Sequence, residues 1–493
     1  MVDSFGDQPP SNPYLGQSQR FWPRLSWSDN IHIVKACTTE ADQPLVAIGG
    51  SLKLEVFEMM PNEIGGISFR SLASYLIGSK PTSIAWSPAC RSPYQTESGS
   101  EAWRIELLVT ASDQTVRLLT SFGPEGEDSN QIRLGKTSGI VTSLDWCSAE
   151  GYHRFAASAE ANGTLTLWDL STISDFSSRS EGGEVEKRGD SESSTITKVV
   201  HFGEPLQSVS FHPKLARMIL ISSTNGVIRL VDWLSSLSND KVPQPTSPSI
   251  QGQQANQRLV LKTALTLRSP SSLSSSITRG LESKGNVSWQ IQDPNMIGGS
   301  MQARWMIWNL TKYNGGNPIL SGSTDLIPSS TDTRSSSSSS QKDQETYQGG
   351  FRWCPTNPHL FTTFNNHPPT NQTANKPFEN SNPPVDNHHR LSSSKDRSAQ
   401  IRIYDSSHPN APRSVTVSDL LTTDKAKDLV NRPPNLTTSS FQRSSNQQRS
   451  TTTSSEAGSI YDVDWIRGLG TDTLGVALAN HLVLVPAYGE GAV

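Results

Sequence analysis

Residues 134–139 read LGKTSG and hold a Gly-Lys-Thr of the kind that cradles a nucleotide phosphate. A phosphate-binding loop needs a further glycine five residues before Gly135, and Asn130 stands there. It also needs a helix whose N-terminus faces the anion, whereas the following GIVTSLDW alternates as a strand does. Gly135, Lys136 and Thr137 are therefore expected in a loop between strands. His212 precedes Pro213, which ends a strand because proline cannot donate to a ladder. No partner histidine recurs at ligand spacing, and His388-His389 lies in an Asn/Pro-rich loop suited to an adventitious metal contact only. Cys37, Cys90, Cys147 and Cys354 are far apart, with neither a CxxC nor a Cys/His ligand spacing, and read as reduced thiols of a cytosolic or nuclear protein. No Ser/His/Asp elbow, HExxH or paired-carboxylate motif appears. The chain is thus expected to be no enzyme, with no catalytic, cofactor-binding or metal-binding residues. Sequons at Asn162, Asn286, Asn309, Asn371 and Asn435 mean little without secretion, and Ser247-Pro248 and Ser269-Pro270 are candidate phosphorylation sites.

The elements that carry these residues repeat. In residues 139–170 two alternating apolar runs, VTSLDW and TLTLWDL, flank FAASA and the turn Asn162-Gly163. In the second run Leu165, Leu167 and Asp169 share one face, and Thr164, Thr166, Trp168 and Leu170 the other. Trp168-Asp169 is the dipeptide that ends the third strand of a WD40 blade. From the aromatic that ends the first strand to the residue before the acid or amide, Trp146 to Trp168 is 22 residues. Phe211 to Val231 is 20, Trp289 to Trp308 is 19 and Trp465 to Val485 is 20. The turns within these copies are read as Asn162-Gly163, Asn225-Gly226, Gly298-Gly299 and Ala479-Asn480. Three further copies fit with changed length or wording: HIVKAC with LKLEVF, SIAWSP with TASDQTVRLL, and FRWCP with QIRIYD. The expected fold is all-β, a single seven-bladed WD40 β-propeller with disordered Ser/Asn/Pro-rich insertions. FWPRLSW at 21–27 is placed either to close the ring as a strand of the last blade or to lie across one face. Trp86, Trp146 and Trp353, each ending a first strand, are expected to be buried between blades.

Composition sets the domain plan. Of 493 residues only 33% are hydrophobic and 18% charged, so much of the chain cannot be core. Residues 1–19 read as a disordered tail, 20–487 as the propeller and 488–493 as a C-terminal tail. Polar insertions fall at about 174–194, 235–256, 269–285, 327–346, 366–397 and 422–457. Removing them leaves roughly 340 residues, close to seven blades of ~40–45 residues each. A net charge of −4 offers no footprint for nucleic acid. The N-terminus lacks a signal-peptide pattern, and the most apolar run, LGVALANHLVLV at 474–485, is too short to span a bilayer, so no membrane insertion is expected.

Copy by copy the chain resembles the small WD-repeat nucleoporins, of about 37 kDa, of the Y-shaped outer-ring complex of the nuclear pore, in a fungal-type form with long polar insertions. NIHIV with AIGG, SIAWSP with TASDQTVRLLTS, QSVSFHP with TNGVIRL, WMIWNLT, and FRWCP with LFTTF carry the likeness. The insertions and Val485-Pro486, in place of an aromatic ending, are departures from it. The resemblance implies a non-catalytic scaffold at the nuclear envelope. Its partners would be a large propeller-plus-helical-solenoid nucleoporin and other subunits of that complex. It would support pore assembly, protein import and mRNA export without touching nucleic acid directly. Phe-Gly occurs only at Phe5, Phe122 and Phe202, which suits a scaffold and not the permeability barrier. Two other readings remain open: a WD40 adaptor of another compartment, such as an organelle-import cargo receptor or a vesicle-tether subunit, and a hydrolase using the central channel.

Overall fold

The structure, a computed structural model, describes residues 22–38, 44–62, 66–92, 103–122, 129–171, 173, 196–234, 261–268, 286–301, 304–312, 316–323, 348–366, 399–416, 420, 459–469 and 472–488. The N-terminal tail, the polar insertions (Asn366 apart) and residues from 489 onward lie outside the described residues. So do His388, His389, Asn371, Asn435 and both Ser-Pro pairs.

The described residues form seven antiparallel sheets of four strands. Their innermost strands are Ile33–Ala36, Pro81–Trp86, Val141–Trp146, Leu206–Phe211, Asn286–Trp289, Gln348–Trp353 and Ile460–Ile466, which open blades 1 to 7. Each touches the innermost strand of both neighbouring blades, so the ring is closed around a central channel. Blade 7 draws three strands, Ile460–Ile466, Thr473–Leu478 and His481–Pro486, from the C-terminal part of the chain and its outermost, Arg24–Ser26, from the N-terminal part. Arg24, Leu25 and Ser26 lie opposite Val483, Leu482 and His481. Within the segment read at 21–27, Arg24–Ser26 therefore closes the ring as a strand, the first of the two alternatives.

Blades pack face to face, so both faces of each sheet are buried and the apolar residues sort by parity. Leu165 and Leu167 join Val209, Phe211 and Ile219 in a cluster between blades 3 and 4. Trp168 and Leu170 point the other way, into a cluster with Leu108, Val116 and Leu118 of blade 2. Seven such clusters exist among the described residues, one at each junction between blades. Stability thus comes from seven similar interfaces in place of one central core, and removing one blade would strip two of them.

One turn was misplaced by the sequence pattern. Gly298-Gly299 lies inside the strand Met296–Met301, not at a turn, and that strand reverses between Met301 and Arg304. The glycines answer to packing. A Cβ on Gly298 would sit 2.4 Å from Phe351 Cζ and 2.7 Å from Trp353 Cε2 of blade 6. At Asn162-Gly163 the turn reading holds: Gly163 has φ of 88°, a region that only glycine enters freely.

Candidate functional site

A propeller offers three places for function: the channel wall and the two rims of loops. On the channel wall four innermost strands carry a register shift, between Pro81 and Ser83, Val141 and Ser143, Leu206 and Ser208, and Ile460 and Asp462. In each the residue after the shift is a serine or aspartate three positions before the terminal aromatic. Each accepts a backbone N–H from the next blade. Leu144 N donates to Ser83 Oγ at 2.9 Å, Val209 N to Ser143 Oγ at 3.2 Å, and Val287 N to Ser208 Oγ at 3.1 Å. Val34 N donates to Asp462 Oδ2 at 3.1 Å. The innermost strands of blades 1, 5 and 6 pair without a shift and have Ile33, Asn286 and Gly350 at this position. A bulge re-aims one side chain along the strand edge, and here that side chain satisfies an N–H that would otherwise end at the channel.

Tryptophans add a second tie. Trp86, Trp289 and Trp465 donate Nε1–H to the carbonyls of Lys35, Ser210 and Arg352 at 3.0, 3.3 and 3.1 Å. Each acceptor is the penultimate residue of the preceding blade's innermost strand. Trp146 departs from this and donates to His153 O at 2.5 Å. Trp86, Trp146 and Trp353 are 6%, 8% and 7% exposed, which places all three between blades as expected.

Charge on the channel wall is concentrated in one arc. Arg352 Nη2 lies 3.3 Å from Asp462 Oδ1, Arg352 Nε 3.8 Å from Asp464 Oδ1, and Lys35 Nζ 3.6 Å from Asp464 Oδ2. Ala36 N donates to Asp464 Oδ2 at 3.0 Å, and Phe211 N to Asp145 Oδ2 at 2.6 Å. Burial pushes Asp462 above the ordinary carboxylate range against the pull of Arg352, and pushes Asp145 up to about 6. None of these residues stood out in the sequence. The visible trace was the run of serine or aspartate, aliphatic, any residue, aromatic in SIAW, SLDW, SVSF and DVDW. The bulge that gives it meaning leaves no mark of its own.

The residues with chemical promise take structural places. Gly135 and Lys136 end the outermost strand of blade 2, Asn130–Lys136, and Thr137 N and Oγ1 both donate to Gln114 O. His212 follows an innermost strand, at the repeat position held elsewhere by Cys37, Ser87, Cys147, Gln290 and Cys354, whose N–H groups all pair with the second strand. Its Nδ1 accepts from Lys214 N and Leu215 N at 3.0 and 2.9 Å, as Gln290 Oε1 accepts from Asp293 N at 2.7 Å. Burial lowers the His212 pKa, and its ring lies 4.6 Å from that of Trp289. The four cysteines are buried, and burial raises the thiols of Cys147 and Cys354 to about 11. Among the described residues no cluster of three or more His, Cys, Asp or Glu could hold a metal. Asn309 does the work of Asp169 and Asp405 at the end of the third strand. Its Oδ1 accepts from Thr311 N at 2.9 Å, as theirs accept from Ser171 N and Ser407 N at 2.9 and 2.8 Å. A neutral amide suffices because only an acceptor is needed.

On one rim, made of second-to-third-strand turns and blade-to-blade loops, Leu52, Leu76 and Ile140 are 54%, 76% and 53% exposed. Leu215, Ile291 and Ile319 are exposed on the opposite rim. Bare aliphatic side chains on rigid loops suit protein contact better than chemistry.

Comparison with known proteins finds sequence similarity to nucleoporins. The chain is 26% identical over 227 residues to nucleoporin Nup37 of Mus musculus and 25% identical over 228 residues to nucleoporin Nup37 of Homo sapiens. This seven-bladed propeller is therefore similar to the Nup37 nucleoporins. Each match spans 44% of this chain and 60% of the relative, so the likeness covers about three-fifths of the Nup37 length. No protein-family model matches the chain. Among solved structures, the crystal structure of Chaetomium thermophilum Raptor superposes with a TM-score of 0.49 at 8% identity, over 95% of this chain and 28% of that one. That superposition is too loose to argue from.

Proposed function

We propose that the chain is a non-catalytic scaffold subunit of the nuclear pore outer ring, docking through a rim of its propeller onto a larger propeller-and-solenoid nucleoporin. The observation that carries this reading is the similarity to two Nup37 proteins in a chain that forms a seven-bladed ring. The channel wall supports it. Its carboxylates are engaged with backbone N–H groups and cations, which suits a structural role better than acid–base work on a substrate. In this reading the protein resides at the nuclear envelope, assists pore assembly, and serves protein import and mRNA export indirectly. Imaging a tagged copy at its native level tests the reading. A punctate nuclear rim is the expected signal, whereas a vesicular or organellar pattern would point instead to a WD40 adaptor of another compartment.

A further inference from the structure

Among the described residues the ladder that closes the ring is the shortest: Arg24–Ser26 pairs over three residues with His481–Pro486. Opening the ring requires that ladder to part and the three C-terminal strands of blade 7 to leave blade 1. The apolar contact along this junction, from Trp27, Ile31, Val34 and Val46 to Ile466, Leu482 and Leu484, resists opening but gives no direction or register.

The polar ties at this junction differ from those elsewhere. Between blades 2 and 3, and between blades 4 and 5, the acceptor is a single serine hydroxyl, Ser83 or Ser208. Between blades 3 and 4 it is one serine and one aspartate, Ser143 and Asp145. Between blades 7 and 1 both acceptors are carboxylates, Asp462 for Val34 N and Asp464 for Ala36 N. Blade 1 supplies Lys35 to Asp464, and blade 6 supplies Arg352 to both aspartates. Hydrogen bonds to an ionised acceptor are stronger than neutral ones, and Asp464 is only 6% exposed, so its ties are shielded from water. Of the junctions just compared, the one between blades 7 and 1 is thus the one at which both acceptors are carboxylates.

We propose that Asp462 and Asp464, held by Arg352 and Lys35, form an ionic clasp that keeps the ring shut at the junction of blades 7 and 1, so that neutralising it turns this junction into the site of local opening. The test is hydrogen–deuterium exchange read by mass spectrometry on the full chain, comparing the parent with the Asp462→Asn/Asp464→Asn variant. Asparagine keeps the size and an acceptor oxygen but removes the charge. Exchange in Arg24–Ser26, Ile33–Ala36, Ile460–Ile466 and His481–Pro486 should rise by about tenfold or more, as expected for local opening. Exchange in Leu206–Phe211 and Val227–Asp232 of blade 4 should stay at the parent's rate. Ser208→Ala serves as a control that should quicken exchange at Val287 and leave the closing junction untouched. If the double variant fails to fold, Lys35→Met and Arg352→Met, which remove a cation and no acceptor, are read in the same way. Equal acceleration in every blade, or none at the closing junction, would overturn the proposal.

Discussion

Replacing Trp146 with alanine tests the claim that stability is distributed over the interfaces between blades. Trp146 ends the innermost strand of blade 3 and is 8% exposed, packed with Ala85, Leu108, Leu118 and Trp168 in the cluster shared with blade 2. A buried tryptophan removes ~200 Å² from water, which at ~25 cal/mol per Å² is about 5 kcal/mol. Aromatic-to-alanine truncations in cores run at ~3–5 kcal/mol once partial collapse of the site is allowed. The lost bond from Nε1 to His153 O adds little, because His153 is exposed and water can replace the donor. A loss of about 4 kcal/mol is a large part of the ~5–15 kcal/mol that holds a typical protein folded. At ~2–4 °C per kcal/mol for a chain of this class, the melting temperature should fall by roughly 10 °C. Thermal melts followed by circular dichroism give the number directly. Leu76→Ala, on a residue 76% exposed, should leave the melt almost unchanged. If Trp146→Ala melts within about a degree of the parent, in the range of an ordinary surface substitution, the argument from interface burial is wrong.

Other expectations follow from the backbone and from the titrating groups. Ala479 has φ of 47° and Gln114 φ of 62°, so Ala479→Gly should raise stability in urea by about 0.5–1 kcal/mol, the relief of left-handed strain less the added chain entropy. Ser208→Ala leaves the buried Val287 N–H without its acceptor and should cost about 1–3 kcal/mol in the same assay. Asp145 binds a proton more tightly folded, at about 6, than at its ordinary 3.8, so its contribution is largest in acid and declines as pH rises through that window. The melting temperature of Asp145→Asn minus that of the parent should therefore climb between pH 4 and pH 6.5 and level off above. His212 has the opposite sign: its folded pKa is depressed, so its support is present above the ordinary value of 6.5 and is lost as pH falls. His212→Gln, which copies Gln290, should match the parent near pH 7.5 and lose less stability than the parent toward pH 5, read in melts across pH.

The fold was legible because its signal repeats. Trp146 and Trp168, Phe211 and Val231, and Trp465 and Val485 mark the same two positions of one blade at nearly constant spacing, and seven copies admit one closed ring. Gly298-Gly299 misled for a physical reason. Glycine serves both a turn and a close approach, and only the position of Phe351 in the next blade, 53 residues on in sequence, distinguishes the two. The channel wall was half legible. The serine or aspartate before each terminal aromatic recurs in plain view, but its role depends on a one-residue bulge set by pairing with the second strand. Asp462 and Asp464 could be seen to alternate with Val463 and Trp465. That Asp462 meets Val34 and Asp464 meets Lys35, over 400 residues earlier, follows only from closure of the ring by Arg24–Ser26.

The functional account turns on the partner. Affinity purification of a tagged full-length chain, with mass spectrometry of what co-elutes after a stringent salt wash, tests it most directly. The account predicts a large nucleoporin with a propeller joined to a helical solenoid, recovered with other subunits of the same outer-ring complex. Recovery of vesicle-tether or organelle-import components in their place, with no nucleoporin, would contradict it.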